Sequence, residues 1–188
     1  MKAIVTLARR EVVAYKPYLT LEVHRVQLPD GRVIEDWPWV ITPDFVNIVA
    51  VTPDSRFVCL RQYKYACDGV SLAAVGGYVE PGEDLLAAAK RELTEETGYA
   101  SGDWSELGHF PVDSNRGAGS AHFYLAVGVA KTSEPTERDV EDPEIVLLTR
   151  AEVEDALAAG QFKALPWSAA IALALLKLND SQEAPYPE

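Results

Sequence analysis

The stretch from Glu83 to Gly98 limits the fold of this chain more than any other part of the sequence. Apolar residues recur in it every four positions, a spacing that predicts an amphipathic helix with one buried face. These residues are Leu85, Ala89 and Leu93. The dipeptide Pro81-Gly82 precedes the stretch and Gly98 closes it, as is typical of a helix start and of a helix C-terminal cap. The sequence therefore predicts a helix over 83–98.

A group of acidic side chains occupies a second face of this predicted helix. Glu92, Glu95 and Glu96 stand at positions i, i+3 and i+4, so their carboxylates project together. Like charges at this spacing repel by about 0.2–0.5 kcal/mol per pair when they are exposed. A hard divalent cation relieves the repulsion, since Mg²⁺ binds one or two carboxylates together with substrate phosphates. A plain solvated acidic face is the alternative, and three glutamates alone do not decide between the two.

Charge and composition exclude several classes of partner. The 188 residues include 29 acidic and 17 basic side chains, which gives a net charge of −12. A chain this acidic has no general attraction for a nucleic acid polymer or for an anionic membrane surface. The longest apolar run, Ala169–Leu176, is far shorter than a membrane span. The two cysteines do not make a secreted disulfide scaffold, so a cytoplasmic protein is expected.

The order of the predicted elements indicates an α+β fold. Strand patterns precede the helix, and further strand and helix patterns follow it. The predicted strands are Leu19–Val23, Arg32–Val40, Phe45–Thr52, Phe57–Tyr63, Leu72–Val75, Ala121–Val129 and Ile145–Leu148, and the later helices are Ala151–Ala159 and Pro166–Leu178. The turn signal Pro29-Asp30-Gly31 makes the first two strands an antiparallel hairpin, and Asp113–Ser120 is expected to be a loop. This order predicts a mixed sheet covered by helices.

Seven residues in and around the helix follow one fixed spacing. They are Gly77, Glu83, Arg91, Glu92, Glu95, Glu96 and Gly98. The pattern resembles the Nudix box, G-x5-E-x7-R-E-U-x-E-E-x-G-U, in which U is a bulky apolar residue. It departs from the box only at the last position, where Tyr99 stands. The chain thus resembles the Nudix hydrolase family, and the complete pattern favours a metal site over a solvated acidic face.

The resemblance implies a fold, a cofactor and a reaction. Nudix proteins form an α/β/α sandwich with a mixed β-sheet, and glutamates matching Glu92 and Glu96 bind divalent metal, often with Glu95 and the carbonyl of Gly76. The implied cofactor is Mg²⁺, or alternatively Mn²⁺. The metal polarises a pyrophosphate and activates water, so that X-P-P-Y gives X-P and P-Y. Catalytic roles are implied for Glu95, Glu96 and Arg91, with Arg91 orienting a carboxylate.

The sequence around the box is similar to that of the ADP-ribose pyrophosphatase group. An N-terminal β extension over residues 1–42 is expected to precede the Nudix hydrolase domain in residues 43–180, with a flexible tail over 181–188. Members of the group are commonly homodimers in which the N-terminal strands complete the partner's substrate site. The resemblance therefore implies a homodimer in which residues 1–42 serve dimerisation.

Four residues are predicted to contact the substrate. Arg61 and Lys64 are placed to reach a phosphate, although an arginine at a strand edge is as often structural. Trp37 and Trp39 flank Pro38 in the predicted hairpin. Stacking on a base is their functional interpretation, and packing at a dimer interface is the equal alternative.

The general base is expected in the acidic segment Glu134–Glu144. In the ADP-ribose pyrophosphatase group a glutamate well after the box often activates the water. Glu141 is the first candidate, and Glu137 and Glu144 follow it. The resemblance alone implies a catalytic role for Glu141, because each of the three glutamates, taken singly, is more readily a plain surface acid.

The expected substrate is a small nucleoside diphosphate linked to another group, foremost ADP-ribose or another nucleotide sugar. Ser114 and Asn115 stand where many ADP-ribose enzymes have a proline, so dinucleotides stay open as alternatives. A non-catalytic nucleotide-sensing Nudix module is a second hypothesis, which the intact box disfavours. A nucleoside triphosphate pyrophosphohydrolase is a third, which the N-terminal extension disfavours.

Overall fold

The computed structural model describes residues 3–136 and 143–180. Within these residues the chain forms eleven strands and three helices. The strands are β1 (Val5–Tyr15), β2 (Leu19–Gln27), β3 (Val33–Ile41), β4 (Phe45–Val51), β5 (Phe57–Tyr63), β6 (Val70–Ala73), β7 (Tyr99–Ala100), β8 (Asp103–Asp113), β9 (Gly117–Val127), β10 (Ala130–Lys131) and β11 (Glu144–Leu148), and the helices are α1 (Leu85–Thr97), α2 (Arg150–Ala158) and α3 (Leu165–Asp180). They form two compact units, unit one with Met1–Phe45 and Phe110–Ala121, and unit two with Val46–His109 and His122–Glu188.

Unit one is built on an antiparallel meander. β1 pairs with β2, β2 pairs with β3, and β3 pairs in parallel with β9 at Val40 and Gly117. The turn between β2 and β3 forms where the sequence predicts it, with Gly31 at a φ of 90° and its amide donating to the Leu28 carbonyl. Every residue of β1 is exposed. Unit one therefore presents an outer strand without a buried face.

Unit two contains the apolar core on which the candidate site is built. Its strands follow the order β9-β4-β5-β11, and β6 also pairs with β5. The pairs of β5 with β4, β6 and β11 are antiparallel. One face of the sheet contributes Val46, Ile48 and Ala50 of β4 to the same core as Val58 and Leu60 of β5. Apolar burial of this kind contributes about 1.5–3 kcal/mol for each large aliphatic side chain.

Helix α1 packs on this core and is capped at both ends. The Asp84 carboxylate accepts a hydrogen bond from the Ala87 amide at the N-terminus. Gly98 ends the helix at a φ of 70°, and its amide donates to the Thr94 carbonyl at 2.8 Å. Glycine adopts this left-handed conformation without steric cost. Leu93 lies in the core on the inner face of the helix, which leaves the acidic residues on another face.

Helices α2 and α3 complete unit two. Helix α2 begins with a capping box between Thr149 and Glu152. Val153 of α2 and Ile171 of α3 are fully buried. Within the described ranges, no helix combines the length and the apolar character needed to cross a membrane.

The predicted α+β fold with a mixed sheet and helices is confirmed, and each predicted strand and helix overlaps an observed one. Two long strands, β1 and β8, were not predicted. β1 has no buried side, so its sequence lacks the alternation that marks a half-buried strand. β8 contains Gly108 and Pro111, which are depleted in strands.

The loop predicted for Asp113–Ser120 was wrong. β8 extends to Asp113 and β9 begins at Gly117, so only residues 114–116 form a turn. The Asp113 carboxylate accepts hydrogen bonds from the amides of Asn115 and Arg116 and closes this turn. The tail predicted for residues 181–188 lies outside the described residues.

Candidate functional site

Arg91 is the centre of an ion-pair network on the outer face of α1. Its Nε and Nη2 atoms donate to the two carboxylate oxygens of Glu83 at 2.9 and 3.0 Å. Its Nη1 atom donates to Glu92 Oε1 at 2.7 Å and to Glu95 Oε2 at 3.0 Å. One guanidinium thus pairs with three of the four box glutamates.

The network changes the acidity of Glu83. Hydrogen bonds from the Arg91 side chain, and then from the Glu80 amide, lower the pKa of Glu83 from 4.5 to about 2. The same Glu83 carboxylate raises the pKa of Arg91, followed by contributions from Glu92 and Glu95. Glu83 is therefore ionised throughout the neutral range. It serves as a permanent counter-charge to Arg91.

Two consecutive glycines lie against two of the glutamates of α1. The Gly76 amide donates to Glu96 Oε2 at 3.0 Å. A Cβ atom on Gly77 would lie 2.4 Å from both carboxylate oxygens of Glu92. The Glu92 carboxylate therefore occupies the space that a side chain at residue 77 would need. Glu92 is only 7% exposed, so its position is set by packing as well as by Arg91.

Strand β4 fixes the backbone of this glycine pair. The Val46 amide donates to the Gly77 carbonyl at 2.9 Å, and the Ile48 amide donates to the Val75 carbonyl at 2.8 Å. Successive carbonyls of an extended chain alternate in direction. The Gly76 carbonyl therefore turns away from β4, toward the side on which Glu96 accepts from the Gly76 amide. A Cβ atom at residue 76 would come within 2.1 Å of the Val46 carbonyl oxygen, so the position requires glycine.

The donor atoms gathered here suit a hard divalent cation. Carboxylate oxygens of the α1 glutamates and a backbone carbonyl are the ligand types that Mg²⁺ prefers. The Glu92 carboxylate lies against Gly77. The neighbouring Gly76 binds Glu96, so the two carboxylates lie against consecutive residues. Among the described residues, no three His, Cys, Asp or Glu side chains are arranged closely enough to enclose an ion. Arg91 holds one oxygen each of Glu92 and Glu95 in this arrangement.

The predicted phosphate contacts lie at the end of β5. Arg61 donates to Glu144 Oε2 at 2.9 Å across the β5–β11 pair. It also lines a pocket of about 330 Å³ together with Lys163. Lys64 is half-buried in the turn after β5, where its carbonyl accepts from the Cys67 amide. Glu144, a candidate base, is thus an ion-pair partner of Arg61, and Arg61 is engaged by Glu144 rather than by a glutamate of α1.

Trp37 and Trp39 are half-buried on β3 of unit one. Trp37 Nε1 donates to the Asn115 carbonyl at 2.7 Å. The Trp39 ring stacks on His24 with 5.3 Å between ring centroids. A Cβ atom on Gly117 would lie 2.8 Å from the Trp39 ring, so this glycine permits the close approach. The glutamates of α1 belong to unit two, and the substrate contact predicted for the two tryptophans stays a prediction.

Glu141 and Glu137, two of the three candidates for the general base, lie outside the described residues, and the third, Glu144, pairs with Arg61. Two features of unit two were not anticipated from the sequence. Asn47 is buried in β4, where a polar residue inside an apolar strand was the available signal. His109 and His122 stack with 5.8 Å between ring centroids, although the sequence separates them.

Comparison with known proteins identifies the fold and the family. The family profile described as the NUDIX domain matches residues 42–168. The ADP-ribose pyrophosphatase of Bacillus subtilis (strain 168) is 27% identical over 81% of this chain and 80% of its own length. The methanol dehydrogenase activator of Bacillus methanolicus is 30% identical over 73% of this chain and 72% of its own. A crystal structure of an ADP compounds hydrolase superposes with a TM-score of 0.80 at 21% identity, covering 98% of each chain.

Proposed function

The chain belongs to the NUDIX domain family and is a Nudix pyrophosphohydrolase, and from this premise we propose that it hydrolyses ADP-ribose or another nucleotide sugar. Water attacks one phosphorus of X-P-P-Y, the bridging P–O bond breaks, and the products are X-P and P-Y. With ADP-ribose the products are AMP and ribose 5-phosphate. One observation carries the proposal: Glu92 and Glu96 contact the Gly76–Gly77 pair, and Arg91 binds Glu92.

The substrate class is supported by the named activities of similar proteins. One relative is called an ADP-ribose pyrophosphatase. Another, 30% identical over 70% of this chain, is called a CMP-5'-(N-acetyl-N-hydroxy-3-aminopropyl)phosphonate hydrolase. Both names describe nucleotides joined to a second group through phosphorus. A small nucleotide-derived substrate is their shared feature.

The proposed cofactor is Mg²⁺, with Mn²⁺ as the alternative. Nudix hydrolases generally use a divalent metal, and here Glu92, Glu96, Glu95 and the Gly76 carbonyl would hold it. When bound, the metal neutralises pyrophosphate oxygens and lowers the pKa of water. Glu92 and Glu96 suit this role because the glycine backbone and the Arg91 network restrict their rotamers before any ligand arrives.

The other site residues act on orientation and on proton transfer. Arg91 keeps Glu92 and Glu95 on one side of α1. Arg61 and Lys64 would bind phosphate, and Trp37 and Trp39 would stack on the base. Glu141 would take the proton from the attacking water. We expect Glu141→Gln to slow turnover without loss of Mn²⁺ binding, and unchanged turnover would remove Glu141 from the mechanism.

We also propose that the protein is a cytoplasmic homodimer joined through residues 1–42, with residues 43–180 as the hydrolase domain. Unit one supports the dimer, because its outer strand exposes large apolar side chains that a monomer seldom leaves in water. They include Val5, Leu7, Val12, Val13 and Tyr15. The free thiols of Cys59 and Cys67 suit a reducing compartment. Light scattering on Val13→Lys and on the wild type tests the dimer, since a lysine there should produce monomers.

A substrate panel with Mg²⁺ tests the activity. It contains ADP-ribose, GDP-mannose, UDP-glucose, NADH, diadenosine polyphosphates and nucleoside triphosphates, with product analysis by ion-exchange chromatography. Glu96→Gln is the control, since it keeps the shape of the side chain and removes a proposed ligand. Cleavage of ADP-ribose or another nucleotide sugar, lost in Glu96→Gln, is the expected result.

Two other outcomes would redirect the assignment. Release of inorganic pyrophosphate from nucleoside triphosphates would favour a triphosphate pyrophosphohydrolase. Tight binding of one ligand without any cleavage would contradict the catalytic proposal and favour a nucleotide sensor.

A further inference from the structure

Asn47 is the single polar residue of β4, a strand that is otherwise apolar. Its side chain is buried, with 4% of the residue exposed. Within the part of the chain that the structure describes, its Oδ1 atom has no hydrogen-bond partner. A buried polar atom without a partner lowers the stability of the folded protein. An apolar residue would avoid this cost, so the stability of the strand does not explain an asparagine here.

The position of Asn47 in the strand connects it with the candidate site. Val46 and Ile48, its two neighbours, donate to the carbonyls of Gly77 and Val75. Asn47 therefore lies opposite Gly76 in the pairing of these two segments. A Cβ atom on Gly76 would lie 2.5 Å from Asn47 Nδ2 and 3.0 Å from its Cα. The amide nitrogen of Asn47 thus lies next to Gly76.

Gly76 transmits this contact to the carboxylate site. Its amide donates to Glu96 Oε2 at 3.0 Å, and its carbonyl turns to the same side by the alternation of an extended chain. A rotation of the Gly76 peptide would move both groups together. The side chain that limits this rotation would therefore influence two proposed metal ligands without touching the metal.

We propose that Asn47 is a positioning residue that holds the Gly76 peptide against Glu96 and so sets the affinity of the site for its divalent cation. The inference rests on the metal site of the proposed function. Residues that orient metal ligands typically change metal affinity or activity by about 10–100-fold when they are replaced. Asn47→Leu should raise the Kd for the cation by such a factor. The variant should remain at least as stable as the wild type, because it removes the unpaired Oδ1 atom.

The test uses the full chain without metal and titrates it with Mn²⁺, whose free form is counted by electron paramagnetic resonance. Gln62→Leu is the matched control. Gln62 is 7% exposed and its Oε1 atom also lacks a partner among the described residues, but it pairs with Ser71 on β6 instead of with the glycines. Thermal unfolding is measured on each variant. We expect a higher Kd for Mn²⁺ in Asn47→Leu and an unchanged Kd in Gln62→Leu.

A parallel readout is the Mg²⁺ concentration that gives half-maximal hydrolysis of ADP-ribose. It should rise in Asn47→Leu by the same factor as the Kd, while kcat at saturating Mg²⁺ changes less. If the role of Asn47 were only structural, the variant would change the unfolding temperature, and the half-maximal Mg²⁺ concentration would not change more than kcat.

Several results would overturn the inference. A folded Asn47→Leu with the wild-type Kd for Mn²⁺ would do so, and so would an equal rise in Gln62→Leu. Asn47→Ala decides by the same criterion if the leucine is too large to fold beside Gly76. Absence of Mn²⁺ binding by the wild type would also overturn the inference. A wild type that binds Mn²⁺ but cleaves nothing contradicts the proposed function instead, and the Kd values of the variants still decide the role of Asn47.

Discussion

Replacement of Gly77 by alanine should remove most of the activity while the fold survives. The added methyl group would lie 2.4 Å from the carboxylate of Glu92, well inside the distance at which nonbonded atoms attract. Gly77 is not one of the glycines with a positive φ, so its backbone accepts an alanine. The Glu92 carboxylate, as the end of a flexible side chain, is the group that must move.

The expected loss of stability is small because two effects oppose each other. Moving Glu92 breaks its 2.7 Å hydrogen bond with Arg91, and bonds to charged groups contribute about 1.5–3 kcal/mol. Both side chains are largely shielded, with 25% and 10% exposed, so solvent screening is limited. Alanine also restricts the unfolded chain, which returns about 0.4–1 kcal/mol. The net cost should be on the order of 1–2 kcal/mol.

The expected loss of activity is larger, because the carboxylate that moves is a proposed metal ligand. A metal ion supplies several kcal/mol of charge stabilisation in the transition state, and each ~1.4 kcal/mol lost lowers the rate about tenfold. We therefore expect kcat/KM for ADP-ribose to fall by about 100-fold or more. Steady-state kinetics with Mg²⁺ and urea unfolding, on the same preparation, measure the two effects.

The neighbouring glycine provides the contrast. Alanine at Gly76 would place its Cβ 2.1 Å from the Val46 carbonyl oxygen, a backbone atom that cannot rotate aside. Gly76→Ala should therefore lose stability first, with a lower urea midpoint than Gly77→Ala. A Gly77→Ala variant within threefold of wild-type kcat/KM would refute the reasoning, since it would show that Glu92 can move without effect on the reaction.

Three further predictions concern acidity, thiol reactivity and helix capping. Arg91 lowers the pKa of Glu83 to about 2, so ionised Glu83 contributes stability that is complete above pH 4.5 and is lost as the pH falls toward 2. In EDTA, the urea midpoint of Glu83→Gln should depend less on pH between 4.5 and 2 than that of the wild type, and an unchanged slope would contradict the ion pair. Burial raises the pKa of Cys59 to about 12, so a thiol reagent at pH 8 should modify Cys67 alone in the folded protein and both cysteines in urea. Mass spectrometry counts the adducts, and rapid labelling of Cys59 under native conditions would contradict its burial. Asp84→Ala removes the N-terminal cap of α1 and should lower the free energy of unfolding by about 1 kcal/mol, measured by urea denaturation with Asp84→Asn as the control that should retain most of it.

Local patterns in the sequence were sufficient to predict most elements of the fold. The spacing of four in α1, with its glycine cap, indicates a helix with one buried face because it is close to the helix repeat of about 3.6 residues. β4 and β5 are apolar on both faces, which marks strands covered on two sides. Local patterns did not predict β1, because none of its side chains is buried. Its existence depends on pairing with β2, which no local pattern records.

The candidate site was predictable to a similar extent. The pairing of Arg91 with Glu95 follows from their spacing of one helical turn. The bidentate contact with Glu83 depends on the turn before α1, whose path the sequence does not reveal. The link between Asn47 and Gly76 is more distant still, since it requires the register of β4 against a segment beyond β6. The stack of His109 on His122 likewise requires the register of β8 and β9.

Arg91 provides the site with a positive charge that is covalently part of the protein. The carboxylates of Glu83, Glu92, Glu95 and Glu96 would repel one another in a protein stripped of metal, yet the Arg91 guanidinium already holds three of them. Release of a divalent ion would therefore cost the protein an exchange of partners at Glu92 and Glu95 rather than an unfolding step. Chelators should inactivate such a protein reversibly and lower its unfolding temperature only by the amount that metal binding had added to it. The occupancy of the proposed metal site could then change with the supply of ions and substrate while the chain stays folded.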